Sequence, residues 1–174
     1  FEKSVSYRIK SNWKVYLDNF LEGLHIPIVH PGLNDVMDYR SYNTKLYKNF
    51  SVQSGKLDDS KSPYAQSSNN VAYYFTIYPN ILFNIAPGRF QTNTIEPLNE
   101  KECVVHFDYF FNSVTKKEIL KDINFSDEIQ KEDILICEEV QKNLISVGFE
   151  QGIISDKYET GVKHFQDYIK NNIS

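Results

Sequence analysis

The spacing of apolar residues near the start of the chain changes from alternation to a helical period. Residues 4–9 alternate as a strand does, whereas residues 12–24 place apolar side chains every three or four positions, which predicts an amphipathic helix. Pro27 lacks an amide hydrogen and disfavours helical geometry at the residue before it. We therefore expect this helix to end near His25 and the Pro31-Gly32 pair to continue the break.

The middle of the chain is predicted to be a sheet. Residues 35–70 are polar and Tyr-rich with a weak pattern, which favours one or two strands and a long loop over 55–70. Four β-branched and aromatic runs then follow, separated by turn pairs, and predict an antiparallel meander. These runs are Val71–Tyr78, Ile81–Ala86, Arg89–Glu96 and Glu102–Asn112. In the last run, the face that carries Val105 and Phe107 is expected to be the more buried.

The last third of the chain reads as helical. Ser126 is expected to cap a long helix from Asp127 to Val147, which Gly148 would end, and a final helix is expected over 158–171. The apolar stripe of the long helix would comprise Ile129, Ile136, Cys137, Val140, Leu144 and Val147. The order of helix, antiparallel sheet and long helix predicts an α+β domain in which a curved sheet wraps a helix and leaves a cavity.

Composition limits the class of protein. The 174 residues suit one core, and 41% hydrophobic with 24% charged residues excludes a disordered chain. A net charge of −4 argues against binding to nucleic acid or to an acidic membrane, and no apolar run is long enough to span a bilayer. Cys103 and Cys137 form no CxxC pair, which favours reduced thiols and a cytoplasmic protein.

The first candidate site is the segment Glu22-x-x-His25-x-x-x-x-His30. Imidazole nitrogens bind borderline divalent metals, and two from one short segment supply half of a coordination shell. The break at Pro27 lets His30 fold back towards His25, and Glu22, one turn before His25, can orient that ring. The alternative is that both histidines are capping or core residues.

The second candidate is Asp133, which falls on the buried stripe of the long helix. A buried carboxylate needs a cation, strong donors or water, although Asp133 could also be a solvated acid that favours the helix dipole. With the two histidines it would form a set of two imidazoles and one carboxylate, which leaves open positions on a ferrous ion for oxygen chemistry. No GxSxG or HExxH motif is present, and His106 and His164 are expected to be core or surface residues.

Two separated motifs resemble the catalytic domain of Rieske-type non-haem iron oxygenases, the ring-hydroxylating oxygenase α subunits. The first is Asn12-Trp13-Lys14, Asp18-Asn19 and the Glu22 to Pro31 segment; the second is Glu132-Asp133 with Glu138 and Gln141. The tail Gly161-Val162-x-His164-Phe165 is similar to branches that include choline- and carnitine-type monooxygenases.

The resemblance implies a helix-grip (START-like) domain with a mononuclear Fe(II). By position, His25, His30 and Asp133 would be its ligands, Asn19 an amide close to the iron, and Glu22 the acid that links the site to a Rieske cluster. That acid is usually Asp in the family, and we expect Glu to serve as well. The family's Rieske domain, with its two-iron two-sulfur cluster, is missing here, so we expect this chain to be a single catalytic domain, the C-terminal half of a longer protein.

The implied partners are a small-molecule substrate with O2, the Rieske domain of a neighbouring subunit in a homotrimer, and a ferredoxin or reductase as electron donor. The expected activity is O2-dependent hydroxylation of a small aromatic or quaternary-ammonium compound, for which the isolated chain would lack its electron donor. Two alternatives stay open: a metal-free START-like carrier of lipids or small ligands, and a metal hydrolase that uses the same ligands.

Overall fold

The computed structural model describes residues 1–58, 70–112, 114–150 and 152–172, which form seven strands and five helices. Its strands are β1 (Lys3–Ile9), β2 (Met37–Tyr47), β3 (Phe50–Leu57), β4 (Val71–Ile77), β5 (Ile81–Ala86), β6 (Arg89–Asn99) and β7 (Glu102–Phe111). Its helices are α1 (Trp13–Phe20), α2 (Ile26–Val29), α3 (Pro31–Val36), α4 (Lys116–Leu144) and α5 (Thr160–Asn172).

The strands form one antiparallel sheet in the order β1-β7-β6-β5-β4-β3-β2. The meander from β4 to β7 is confirmed, and β1 closes the order by pairing with β7 along its whole length. Gly88 at the β5–β6 turn has a φ of 77°, which a residue without Cβ adopts at no steric cost. β6 continues to Asn99, three residues further than predicted.

The weakly patterned region contains a well-formed hairpin of β2 and β3. Residues 55–57, predicted to lie in a loop, belong to β3, where Gly55 pairs with Ala72 of β4. The sequence signal was weak because three of the four buried positions of β3 are polar or small, namely Ser51, Gln53 and Gly55. The part of the predicted loop over 59–69 lies outside the described residues.

The core lies between the inner face of the sheet and the helices. In β7 the buried face carries Cys103, Val105, Phe107 and Tyr109, as the alternation predicted. These side chains pack with Leu17 and other apolar residues of α1, α4 and α5 in one cluster. Burial of each large apolar side chain contributes about 1.5–3 kcal/mol. The α+β, helix-grip class is therefore confirmed.

The prediction that the first helix runs to Leu24 is wrong, because α1 ends at Phe20. The Phe20 carbonyl accepts a hydrogen bond from Gln53 Nε2 at 2.6 Å, which satisfies a group that the helix end leaves free. The Glu22 carboxylate accepts from the backbone N–H of Leu24 and thereby fixes a turn. Pro27 and Pro31 do not merely break the helix; each lies in the first turn of a new one, where proline is tolerated.

The predicted start of the long helix is also wrong. α4 begins at Lys116, where Thr115 and Glu118 form a capping box, and it ends at Leu144. Ser126 lies inside the helix, where its hydroxyl accepts a hydrogen bond from Tyr109 at 3.0 Å. Val147 of the predicted stripe is fully exposed, and the buried face of α4 is largely polar. Its buried residues are Asp122, Ile123, Ser126, Gln130, Cys137 and Gln141.

Polar side chains of α4 hold α1 in place. Gln130 Oε1 accepts from the Tyr16 hydroxyl at 2.8 Å, and Gln141 Oε1 accepts from the Asn12 backbone N–H at 2.7 Å. Farther along, Glu138 accepts from the Lys10 backbone N–H at 3.0 Å. The two helices are thus aligned by side-chain hydrogen bonds, which explains why the inner face of α4 lacks a continuous apolar stripe.

Candidate metal centre

A single turn of helix brings the two predicted histidines together. His25 is the N-cap of α2 and His30 is its C-cap, and the backbone N–H of His30 donates to the Ile26 carbonyl at 3.1 Å. The ring centroids are 5.0 Å apart, with the ring planes at 77°. The five-residue spacing therefore places both imidazoles on one side of a short helix, as the predicted folding back required.

Asp133 of α4 meets both imidazoles at the same carboxylate oxygen. Its Oδ1 is 3.0 Å from His30 Nε2 and 3.7 Å from His25 Nε2. One potential ligand atom from each of the three residues lies within 4.8 Å of the others. Residues more than one hundred positions apart in the sequence thus converge, because α4 packs across α1 and α2.

The second nitrogen of each imidazole is held by a glutamate. His25 Nδ1 contacts Glu22 Oε1, and His30 Nδ1 is 2.7 Å from Glu132 Oε2. Each Nδ1 can donate a hydrogen bond to its glutamate, and this arrangement leaves both Nε2 atoms facing Asp133. A histidine fixed in this way by a carboxylate is the arrangement that orients metal-binding imidazoles.

Two further residues complete the surroundings of Asp133. Asn19 Nδ2 donates to its Oδ1 at 2.7 Å. Tyr16 is buried one turn earlier on α1; burial first, and the nearby charge of Asp133 second, raise the pKa of its phenol well above the ordinary value. Tyr16 therefore stays protonated beside the carboxylate.

The acids also change the acidity of His30. Its burial acts to lower the pKa, but the hydrogen bonds and charges of Asp133 and Glu132 outweigh burial, and the pKa of His30 is raised. Excess negative charge around the two rings is the condition that a bound cation would relieve.

The donor set fits a ferrous ion. Two neutral imidazoles and one carboxylate on one face of a site are the ligands of non-haem Fe(II) oxygenases, which leave positions open for other molecules. The three candidate ligand atoms lie within 4.8 Å of one another, so one ion could contact all three.

A cavity of about 120 Å³ opens directly onto this cluster. Its walls contain all five predicted site residues, namely Asn19, Glu22, His25, His30 and Asp133. Aromatic rings of Phe20 and Tyr74, which meet edge to face at 6.3 Å, line another part of it. Among the described lining residues, Arg89 is the only Lys or Arg, and it is paired with Asp122 at 3.0 Å.

The other two histidines lie outside the cavity walls, and neither cysteine lines them. His106 is half-exposed on the outer sheet face, where it contacts Ser6 and Glu96. His164 Nδ1 is 2.9 Å from the Tyr78 hydroxyl. Both cysteines are buried as free thiols, and burial raises the pKa of Cys103 to about 11.

The sequence motifs give Glu132 no contact with the cluster, and they do not identify several residues that line the cavity, among them Tyr74 and Arg89. In the sequence, Glu132 stands out only as the neighbour of Asp133 in the second motif. A signal for its role was available, because an acid next to a helical ligand can reach the second nitrogen of a histidine that this ligand faces. Arg89 is the first residue of a predicted strand, and nothing in the sequence alone links it to Asp122.

Between the sheet and the long helix, two histidines and a helical carboxylate form a group of side chains that could hold one metal ion. The chain belongs to the family described as "Ring hydroxylating alpha subunit (catalytic domain)", whose sequence model matches residues 1–174.

Curated relatives include a choline monooxygenase of Arabidopsis thaliana, described as chloroplastic, and a carnitine monooxygenase oxygenase subunit of Acinetobacter pittii. The first is 32% identical over 96% of this chain and 40% of its own length. The second is 30% identical over 87% of this chain and 43% of its own length. The chain thus spans about two fifths of these relatives.

Solved structures share the fold. That of a quaternary ammonium Rieske monooxygenase, described in connection with carnitine oxidation and inter-subunit electron transfer, aligns with a TM-score of 0.85 and 23% identity over 97% of this chain and 49% of its own. Dicamba monooxygenase aligns with a TM-score of 0.69 and 15% identity over 97% of this chain and 58% of its own.

No helix within the described residues combines the length and the apolar character that crossing a bilayer requires.

Proposed function

We propose that His25, His30 and Asp133 hold one ferrous ion, and that the chain is the catalytic domain of an oxygenase that acts on a small quaternary-ammonium compound. The observation that carries the proposal is the convergence of both Nε2 atoms on Asp133 Oδ1 in the wall of a cavity that aromatic rings also line. When bound, the ion would supply the binding and activation of O2, which no side chain provides.

The cavity favours a cation over a neutral arene. Its walls contain two acids, Glu22 and Asp133, and its one described Lys or Arg, Arg89, is already paired with Asp122. Phe20, Tyr42 and Tyr74 offer ring faces and edges to a bound group. A desolvated quaternary ammonium is attracted by such rings and needs no hydrogen-bond donor.

The surrounding residues would position the substrate and keep the phenols neutral. Burial is the main cause that raises the pKa of Tyr74 to about 12 and the pKa of Tyr42 well above its ordinary value. Both phenols are neutral at neutral pH, as an ordinary tyrosine is, so both rings offer a polar edge that carries no charge.

Electrons are proposed to enter on the side of Glu22. Its carboxylate contacts His25 Nδ1 and the backbone of residues 24 and 25, and its side chain is 12% exposed. Nearby, Ile28 of α2 is 85% exposed. We infer that the Rieske domain of a neighbouring subunit, with its two-iron two-sulfur cluster, docks on this surface in a homotrimer supplied by a ferredoxin or reductase. A cytoplasmic location also stays a prediction.

The two alternatives are less well supported. A metal-free carrier predicted that the histidines would pack against the sheet without meeting Asp133, which is contrary to the observed distances. A hydrolase would use the same ligands with zinc and water. It differs from the oxygenase in requiring neither ferrous ion nor O2.

The substrate class can be tested with two ligands of one shape. We expect choline to bind the ferrous-loaded chain about tenfold more tightly than 3,3-dimethylbutan-1-ol, its uncharged isostere, in anaerobic calorimetry. Tyr74→Leu should reduce the ratio of these two affinities. Equal affinities in the wild type would refute the quaternary-ammonium assignment. In the full-length protein, choline should stimulate O2 consumption that Asp133→Ala abolishes.

A further inference from the structure

His30 lies between two consecutive acidic side chains of α4. Its Nδ1 is 2.7 Å from Glu132 Oε2, and its Nε2 is 3.0 Å from Asp133 Oδ1. The side chain of His30 is only 2% exposed, so water competes little for either nitrogen. One imidazole is therefore bracketed at both nitrogens by neighbouring residues of one helix.

The backbone of His30 is fixed independently of these contacts. Its N–H donates to the Ile26 carbonyl at 3.1 Å, and its own carbonyl accepts from the Asn34 N–H at 2.9 Å. What the backbone leaves undetermined is the rotation of the ring and the nitrogen that carries the proton. The contact with Glu132 fixes the rotation of the ring, and with an ion on the side of Nε2 the proton would lie on Nδ1, from which the Glu132 carboxylate accepts a hydrogen bond.

The two histidines differ in how they are held. Glu22 belongs to the same short segment as His25, three residues earlier. Glu132 reaches His30 from another element, and it is covalently adjacent to Asp133. A shift of α4 would therefore move Asp133 and Glu132 together. Because Glu132 contacts His30, the position of His30 relative to Asp133 depends on Glu132.

We propose that Glu132 is a positioning residue of the metal centre: it holds His30 with Nδ1 protonated and Nε2 directed at the ion. This inference rests on the metal site proposed above. The hydrogen bond to a carboxylate also makes Nε2 a stronger electron donor. Loss of such a partner typically weakens metal binding 10- to 100-fold.

The test is anaerobic titration of the metal-free chain with Co(II), a spectroscopic substitute for Fe(II), followed by its visible absorption. Glu132→Ala should weaken binding 10- to 100-fold and change the spectrum of the bound ion. Glu132→Gln, which keeps an acceptor but loses the charge, should fall between Glu132→Ala and the wild type. Glu128→Gln is the matched control, since Glu128 is exposed one turn earlier on the same helix.

Circular dichroism of each metal-free variant checks that the fold is retained. A purely structural role would not produce affinities that fall in the order wild type, Glu132→Gln, Glu132→Ala. If Glu132→Ala binds Co(II) with the affinity and spectrum of the wild type, the positioning role is wrong and the metal site stands. If the wild type does not bind Co(II), both proposals are wrong.

Discussion

Asn19 and Asp133 are joined by a hydrogen bond of 2.7 Å, in which Asn19 Nδ2 donates to the carboxylate oxygen that also faces both histidines. This contact ties α1 to α4 at the candidate metal centre. It leaves Asp133 fewer orientations, so the carboxylate is directed at the imidazoles before any ion binds.

Removal of this donor should loosen the site. We expect Asn19→Leu to weaken ferrous binding about tenfold, because a ligating carboxylate loses the partner that orients it. Anaerobic calorimetry measures the change. Asn143→Leu, on the exposed part of α4, is the control and should bind as the wild type does. Unchanged affinity in Asn19→Leu would show that Asn19 does not orient the carboxylate.

The buried ion pair of Arg89 and Asp122 should matter for stability. Arg89→Met leaves the buried Asp122 without its cation and should lower the free energy of unfolding by about 3–5 kcal/mol in chemical denaturation. The double variant Arg89→Met/Asp122→Leu should recover much of that loss. Arg8→Met breaks the exposed pair with Glu102 and should change little. A loss in Arg8→Met as large as that in Arg89→Met would contradict this account.

Gly161 is required where α5 meets the end of α1. A Cβ at this position would lie 2.5 Å from the Leu21 carbonyl oxygen, so Gly161→Ala should force the helices apart and cost about 1–3 kcal/mol of stability. Gly148→Ala has no atom within 4 Å of the added carbon and serves as the control. Thermal unfolding compares the two, and equal melting temperatures would show that the contact is not limiting.

Asp18 should make the protein less stable as the pH rises. Burial is the main cause that raises the pKa of its carboxyl from 3.8 to about 6 in the folded chain. The folded state therefore holds a proton that the unfolded state loses, so its contribution is present below about pH 4 and is lost as the pH rises through about 6.

Asp18→Asn keeps an acceptor for Gln166 Nε2, which donates to Asp18 at 3.0 Å, but it does not ionise. We expect the variant to be more stable than the wild type at pH 7, by at most about 3 kcal/mol, with the difference vanishing near pH 4. Denaturation curves across this range provide the measurement. A constant difference at every pH would contradict the assigned shift.

Alternation was enough to predict the meander from β4 to β7 and the buried face of its last strand. The buried face of β7 follows from a period of two that Val105 and Phe107 make plain. His25, His30 and Asp133 followed from metal-ligand chemistry together with the family resemblance. The five-residue spacing brings the two histidines together because the residues between them form one helical turn. Pro27 lies in the first turn of that helix, where proline is tolerated.

Part of what the sequence could not predict depends on distant residues. α1 stops at Phe20, whose carbonyl accepts a hydrogen bond from Gln53 of β3, although the apolar pattern continues to Leu24. α4 begins at Lys116 because Thr115 and Glu118 form a capping box, a signal that is present in the sequence itself. The burial of Asp122 and Ser126 could not be predicted, because their partners Arg89 and Tyr109 lie on distant strands. Local patterns contain no information about such partners.

The central claim is that three side chains from distant parts of the chain hold one ferrous ion. Anaerobic equilibrium dialysis against Fe(II), with iron counted per chain, tests it most directly. We predict one ion per chain in the wild type, in His106→Ala and in His164→Ala, and none in His25→Ala, His30→Ala or Asp133→Ala. Retention of iron by all three of the latter variants, or its absence from the wild type, would contradict the claim.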